Sequence, residues 1–112
     1  MLQPSLLLIM QRGPAHGYEL MERLKEFGQG DIDPSLIYRS LHGLEAERLI
    51  DSSWDEKDSQ GPPRRVYHLT PNGQEMLAQY LEEMKNIRQR IDKWIQAYES
   101  YMQNGDEKSE KE

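Results

Sequence analysis

The chain reads Gly61-Pro62-Pro63-Arg64-Arg65-Val66-Tyr67-His68-Leu69-Thr70 between a tryptophan-bearing segment and a long helical pattern. Proline fixes φ and has no N–H to donate, so the two prolines exclude a central strand at this point. The run from Arg65 to Leu69 favours a strand, and the adjacent guanidinium groups of Arg64 and Arg65 are suited to binding phosphate. The stretch therefore predicts the tip and the returning strand of a β-hairpin.

The residues before this stretch predict the first strand of the same hairpin. From Leu49 to Glu56 the residues alternate, which places Ile50, Ser52 and Trp54 on one face. Lys57 to Pro63 then forms the connecting loop, and the hairpin from Ile50 to Leu69 is called the wing below. Because two strands alone are marginally stable, the wing is expected to pack on helices.

Three helices are predicted ahead of the wing, at residues 4–11, 16–27 and 34–47. Gly13-Pro14 ends the first helix, and Gly28 ends the second. In the second helix, Leu20, Leu24 and Phe27 recur at helical spacing and predict its buried face.

The third helix has a strong start signal and two different faces. Asp33 is suited to the N-cap and Pro34 to the first helical position. The predicted apolar set is Leu36, Ile37, Leu41 and Leu44. The polar side chains that lie along a different face are Ser35, Tyr38, Arg39 and His42.

A long helix is predicted from Pro71 to about Gln103 or Asn104, with Thr70 as its cap. Its apolar seam follows a heptad spacing and consists of Tyr80, Met84, Ile87, Ile91, Trp94, Tyr98 and Tyr101. A helix this long has more apolar surface than one small domain covers, so the seam needs a partner. The acidic tail, 105–112, is expected to be disordered.

Composition limits the classes of protein that fit. The 112 residues contain no cysteine and carry a net charge of −6, so disulfide frameworks and nonspecific coating of nucleic acid are excluded. The apolar run Leu6 to Met10 is too short to span a membrane, and a cytoplasmic protein is expected. We find no nucleophile with its base, no metal cluster and no glycine-rich phosphate loop, so neither an enzyme nor a cofactor is expected.

The order helix, helix, helix, strand, basic hairpin, strand, helix predicts a winged helix-turn-helix domain, mainly α with a small β-hairpin, plus a long C-terminal dimerisation helix. In such domains the third helix lies in the major groove of DNA and the wing reaches the flanking backbone. The predicted division is 1–70 for DNA binding, 71–104 for dimerisation and 105–112 for the tail.

Four motifs in this order resemble the PadR family of bacterial transcriptional regulators, over about residues 4–75. They are Gly13-Pro14-Ala15-His16-Gly17-Tyr18-Glu19-Leu20, Leu36 to Glu45, Leu49 to Trp54 and Gly61 to Gly73. The single helix at the C-terminus is similar to that of the smaller PadR subfamily. The resemblance implies a homodimer on a palindromic operator in double-stranded DNA, and repression relieved by a small molecule. The aromatic seam of the long helix adds that this effector is hydrophobic or aromatic.

The resemblance carries over to particular residues. Tyr38 matches the recognition-helix tyrosine, and Arg64 and Arg65 match the basic pair of the wing. The predicted DNA-binding residues are Ser35, Tyr38, Arg39, His42, Arg64 and Arg65. Two alternatives stay open at this point: Tyr38 packs against the wing instead, and His42 is simply exposed.

The basic pair and the aromatic seam each have two interpretations. Because adjacent strand residues point to opposite faces, one of Arg64 and Arg65 is expected to contact DNA while the other braces against an acid. The acids considered are Asp55, Glu56 and Asp58. The effector-binding residues, if the dimer seam also holds a ligand, are Tyr80, Met84, Trp94 and Tyr98.

Two further positions bear on the fold. His16 and Glu19 have a spacing that a metal could use, but a structural cap is the expected role of His16. The family usually has glycine where this chain has Arg48, so Arg48 either adopts φ > 0 or ends the helix differently; we expect a slightly shifted helix end and a phosphate contact by Arg48. The alternative function is a winged-helix module that dimerises and binds protein without binding DNA, which the acidic charge favours.

Overall fold

Within residues 1–55, 61 and 63–111, which the computed structural model describes, the chain forms four helices and three strands. Side chains are described up to residue 104. The helices are α1 Leu2–Met10, α2 Gly17–Glu26, α3 Pro34–Ala46 and α4 Pro71–Lys111; the strands are β1 Ala15–His16, β2 Ile50–Asp55 and β3 Arg64–Leu69. Residues 1–79 and 80–112 form two compact units, and each is taken by itself.

The sheet that includes the wing has one strand more than the sequence predicts. The sheet is antiparallel with the order β1-β3-β2, and β3 pairs with β2 from Ile50↔Leu69 to Asp55↔Arg64. The extra strand, β1, pairs Ala15 with Tyr67 and His16 with Val66. A two-residue strand has no alternation to detect, which is why the sequence predicts only a hairpin. The predicted loop at 57–63 lies outside the described residues apart from Gly61 and Pro63.

The core of the first unit is built by apolar stripes on three helices. Leu20 and Leu24 of α2 are buried as predicted, but Phe27 is 47% exposed. Phe27 is the C-cap of α2 with φ −95° and ψ 15°, so the helical spacing no longer sets its direction. In α3 the buried residues are Ile37, Leu41 and Leu44. Leu36 lies beside that stripe instead of on it and is exposed.

Helix α3 ends at a left-handed residue that is not glycine. Arg48 has φ 61°. The Leu49 N–H donates to the Leu44 carbonyl at 3.0 Å, and the Arg48 N–H donates to the Glu45 carbonyl at 3.0 Å, which is the pattern of a Schellman motif. The predicted shift of the helix end is therefore wrong, because these two hydrogen bonds and one from the Thr70 hydroxyl to the Arg48 carbonyl at 2.7 Å hold the strained residue. A phosphate contact by Arg48 stays a prediction.

Replacing Arg48 with glycine is expected to raise the free energy of unfolding by roughly 1 kcal/mol, because glycine has no Cβ to strain at positive φ. The matched control is Glu47→Gly. Glu47 has φ −83°, so glycine relieves no backbone strain at that position. That control should lower stability by up to about 1 kcal/mol. Urea unfolding at one fixed protein concentration measures both variants. If Arg48→Gly is less stable than the parent, the backbone of Arg48 is not strained in solution.

The first turn of α4 is fitted closely against the end of α3. The Thr70 hydroxyl accepts from the Gly73 N–H at 3.0 Å, which confirms Thr70 as the cap, and the Thr70 N–H donates to the Leu49 carbonyl at 3.1 Å. A Cβ at Gly73 would overlap the Leu49 carbonyl oxygen and lie 2.7 Å from Leu69 Cδ1. Only glycine fits at this position of the helix.

The second unit, residues 80–112, consists of the remaining length of α4. The helix runs to Lys111, beyond the end predicted near Gln103 or Asn104. Order or disorder of the acidic tail in solution stays a prediction, as does the functional division at residues 70 and 71. Among the described residues, every helix is too short or too polar to cross a bilayer.

Candidate nucleic-acid interface

The start of α3 presents the predicted polar face to solvent. Asp33 caps the helix by accepting a hydrogen bond from the Ser35 N–H at 3.0 Å, and Pro34 occupies the first turn. The exposed residues that recur at helical spacing on this face are Ser35, Tyr38, Arg39 and His42. The structure thus brings the four residues together, while their contact with DNA stays a prediction.

Tyr38 reaches from this face to the start of α2. A Cβ placed at Gly17 would lie 2.7 Å from the Tyr38 hydroxyl oxygen, so the missing side chain of Gly17 makes room for the ring. Tyr38 is 46% exposed, so its ring is both packed and open to solvent. Packing against the start of α2 is therefore compatible with contact with DNA, while packing against the wing, the alternative left open by the sequence, stays a prediction.

An open cleft of about 290 Å³ joins α2, α3 and the wing. We call it the basic cleft; its lining residues are His16, Gly17, Tyr18, Tyr38, Arg64, Arg65 and Tyr67. Burial raises the pKa of the Tyr67 phenol, Tyr38 and Glu45 act in the same direction, and Arg65 opposes them. The Tyr67 hydroxyl is therefore a hydrogen-bond donor at neutral pH. Guanidinium and phenol donors together suit an anion such as a phosphate.

The two arginines of the wing have different surroundings. The Arg64 guanidinium lies 5.2 Å from the centroid of the Tyr18 ring, and Arg64 is exposed. The Arg65 guanidinium lies 4.7 Å from the Trp54 ring, and its Nη1 is 3.9 Å from Glu45 Oε2. Arg65 is thus the braced member of the pair, and Arg64 is the one that is open to a ligand.

The brace of Arg65 differs from the predicted one. Glu45 was not among the expected acids, and Glu56 and Asp58 lie outside the described residues. Glu45 also accepts a hydrogen bond from the Ser52 hydroxyl at 2.5 Å, so it ties α3 to β2 and to Arg65 at once. Glu45 lies on α3 and Ser52 lies on β2, seven residues later in the chain. Their contact depends on how the two elements pack and leaves no local pattern in the sequence, which is why the sequence analysis missed it.

Trp54, which the alternation of β2 places on one face with Ile50 and Ser52, is the second partner of Arg65. It is 57% exposed, at the end of the strand, where it stacks under the Arg65 guanidinium. The strand register, which pairs Trp54 with Arg65, is the signal that could have found this contact.

His16 is the N-cap of α2, in the structural role expected for it. Its N–H donates to Glu19 Oε1 at 3.0 Å, and its Nδ1 lies 2.6 Å from the same oxygen. These hydrogen bonds from the His16 backbone and ring are the main reason that the pKa of Glu19 lies below its usual value. Within the described residues no three side chains are placed to hold a metal ion.

Three aromatic residues of the seam, Trp94, Tyr98 and Tyr101, are open to solvent. Trp94 is 68% exposed and Tyr98 is 54% exposed, and their rings stack with centroids 5.8 Å apart. Tyr80 and Met84 are half-buried. The four residues predicted to bind an effector all lie in this unit, and an exposed apolar surface of this kind is typical of an interface.

Comparison with known proteins identifies relatives of this chain. Residues 6–79 match the family described as the transcriptional regulator PadR-like family. The transcriptional regulator YqjI of Escherichia coli (strain K12) is 31% identical over 88 residues. That match covers 77% of this chain and 40% of the E. coli protein, so the chain spans less than half of that relative's length.

Solved structures share the fold. The conserved protein TM0937, of unknown function and described as a potential transcriptional factor, is 34% identical with a TM-score of 0.79, over 91% of this chain and 90% of that one. Bacillus subtilis PadR in complex with operator DNA is 26% identical with a TM-score of 0.64, over 72% of this chain and 46% of that one. The predicted winged-helix fold is confirmed, and one of the matched proteins is held on DNA.

Proposed function

This chain belongs to the PadR-like family of transcriptional regulators, and from that membership we propose that it is a repressor that binds a palindromic operator as a homodimer. The family and its relatives are regulators of transcription and not enzymes. Because such a regulator acts where bacterial DNA lies, we propose a cytoplasmic location.

The basic cleft is the observation that carries the DNA-binding proposal. It joins the exposed face of α3 to the wing in a chain whose net charge is −6, so its arginines are a local concentration of positive charge. In the proposed complex the side chains of Ser35, Arg39 and His42 face the major groove. Tyr38 and Arg64 bind the adjoining phosphates, and Arg65 holds the wing in place.

The exposed seam of α4 supports the homodimer. A helix surface that carries Trp94, Tyr98 and Tyr101 in water is stabilised when a second apolar surface covers it. The seam keeps a heptad spacing over its whole length, which suits pairing with the same helix of a second copy. Two winged domains in one dimer then match the two halves of a palindrome.

The stacked rings also support an effector site, at Tyr80, Met84, Trp94 and Tyr98. Flat aromatic faces and an adaptable methionine suit a planar hydrophobic compound held within the paired seam. Such a compound would release the protein from its DNA, and a compound library screened for that release tests the idea directly.

The acidic net charge favours a second candidate, a dimeric winged-helix module that binds a protein instead of DNA. A salt-titrated binding assay on the DNA upstream of the protein's own coding sequence separates the two. The regulator binds that DNA specifically and loses affinity steeply with salt, whereas the protein-binding module does neither.

Arg64→Ala is expected to lower affinity for every DNA sequence by roughly tenfold and to reduce the salt slope by about one unit, because one phosphate contact is lost. Arg65→Ala should weaken binding less, since Arg65 is already engaged by Trp54 and Glu45. The matched control, Arg88→Ala, removes the same charge from an exposed position on α4 outside the cleft lining. Unchanged binding by both wing variants would refute the assignment of the wing to DNA.

A further inference from the structure

We propose that His16 is a positioning residue for DNA binding, which fixes the wing against the start of α2 and orients Arg64 over Tyr18. The proposal goes beyond a cap for α2 and rests on the DNA-binding function proposed above. Its basis is that one side chain and its own backbone contact α2, both strands of the wing and the aromatic platform of Arg64.

His16 holds both strands of the wing. Its backbone pairs with Val66 of β3, as part of β1. Its ring Nε2 lies 3.2 Å from Asp55 Oδ2, on the last residue of β2. Asp55 is directly opposite Arg64 in the strand register, so the contact is made where the wing leaves the helices.

His16 also supports the platform of Arg64. Its ring stacks on Tyr18 with centroids 5.5 Å apart and planes 14° from parallel. The Arg64 guanidinium lies over the same tyrosine, 5.2 Å from its centroid. Tyr18 is half-exposed, so burial alone does not fix its ring, and the stack on His16 supplies the missing restraint.

The orientation of the His16 ring is set from two sides. Nδ1 contacts Glu19 Oε1 at 2.6 Å while Nε2 contacts Asp55, so each ring nitrogen has a carboxylate partner. A half-turn of the ring would put carbon atoms where the two nitrogens now lie, so the ring would lose both carboxylate partners. The ring is only 20% exposed and is therefore held as part of the structure.

A cap alone does not need histidine. Asparagine, serine and aspartate are better N-cap residues, and each would satisfy the first turn of α2. Only a longer side chain with a second polar atom reaches Asp55, and only a flat ring stacks on Tyr18. The difference between capping and positioning can therefore be tested by one substitution.

His16→Asn keeps a strong N-cap but reaches neither Asp55 nor the Tyr18 ring. We expect urea unfolding close to that of the parent and DNA affinity about threefold to fivefold lower. In an Arg64→Ala background the same substitution should change affinity little, because the arginine that His16 orients is gone. All measurements use the full-length chain.

A second readout does not depend on DNA. Protons of the Arg64 side chain that lie over the Tyr18 ring experience its ring current, and His16→Asn should move their NMR signals toward random-coil positions. If the parent protein binds no DNA, the proposed function fails, while this NMR signal still tests the positioning.

Two results would overturn the proposal. One is parental affinity together with parental Arg64 signals in His16→Asn, which would leave His16 as a cap only. The other is an equal loss of affinity with and without Arg64. Should His16→Asn unfold, His16→Ser takes its place, because serine is also a strong N-cap and reaches neither Asp55 nor the Tyr18 ring, and the same non-additivity with Arg64→Ala is required.

Discussion

Replacing Gly73 with alanine is expected to lower the free energy of unfolding by about 1 to 3 kcal/mol. A Cβ at this position overlaps the Leu49 carbonyl oxygen, which already accepts a hydrogen bond from the Thr70 N–H at 3.1 Å. Backbone atoms cannot move aside as the end of a flexible side chain can. Helix α4 must therefore shift, and the hydrogen bond from the Thr70 N–H to the Leu49 carbonyl lengthens. Overpacking costs about 1 to 3 kcal/mol and the lost bond about 1, against a helix-propensity gain of up to about 1.

The chain offers a matched control in another helical glycine. A Cβ at Gly43, inside α3, meets only Gln3 Nε2 at 3.8 Å, which is ordinary contact. Gly43→Ala should therefore leave stability unchanged or raise it by up to about 1 kcal/mol. Urea unfolding of both variants at one protein concentration measures the difference. Equal stabilities for the two would show that the close fit at Gly73 is absent in solution.

Substituting glutamate for both Trp94 and Tyr98 is expected to break the proposed dimer and to lower operator affinity by roughly 100-fold or more. Each aromatic side chain buries about 150 to 250 Å² at an interface, and a charge in its place is costly to desolvate. A monomer engages one half-site at a time, so it loses the gain of roughly 100-fold or more that linked binding provides.

The control for this pair adds the same charge elsewhere on α4. Gln89 and Gln96 are exposed and lie off the seam, so the double substitution to glutamate at these positions should leave the dimer intact. Light scattering after gel filtration gives the mass of each protein, and a salt-controlled shift assay gives its affinity. If the variant with glutamate at positions 94 and 98 still has the mass of a dimer, the seam is not part of the dimer interface.

Local chemistry made much of the fold predictable. Asp33 and Pro34 mark a helix start because a capping carboxylate and a fixed φ act within one turn, and the alternation before Trp54 marks a strand for an equally local reason. These signals do not depend on distant residues, so the order of elements followed from them.

Contacts between distant segments were not predictable. Glu45 meets Arg65 only after α3 and the wing have packed, and Gly73 is required only because the Leu49 carbonyl lies against it. Arg48 adopts a conformation that its residue type disfavours, since the neighbouring hydrogen bonds outweigh a local preference of about 1 kcal/mol. The same holds for the candidate site. The sequence was enough to identify Arg64 and Arg65 as candidates, but only the packed structure shows that Arg65 is the one held by Glu45 and Trp54.

The guanidinium of Arg64 over Tyr18 has a consequence for how long a complex lasts. An unrestrained arginine loses rotamer freedom when it binds, at a cost of about 0.5 to 1.5 kcal/mol. Arg64 has already given up part of that entropy in the folded protein, because its side chain lies on an aromatic ring. Less entropy is then lost on binding, and among related complexes such a gain appears mainly as slower dissociation. If Arg64 binds a phosphate as proposed, the tyrosine beneath it is therefore expected to lengthen the residence time on DNA.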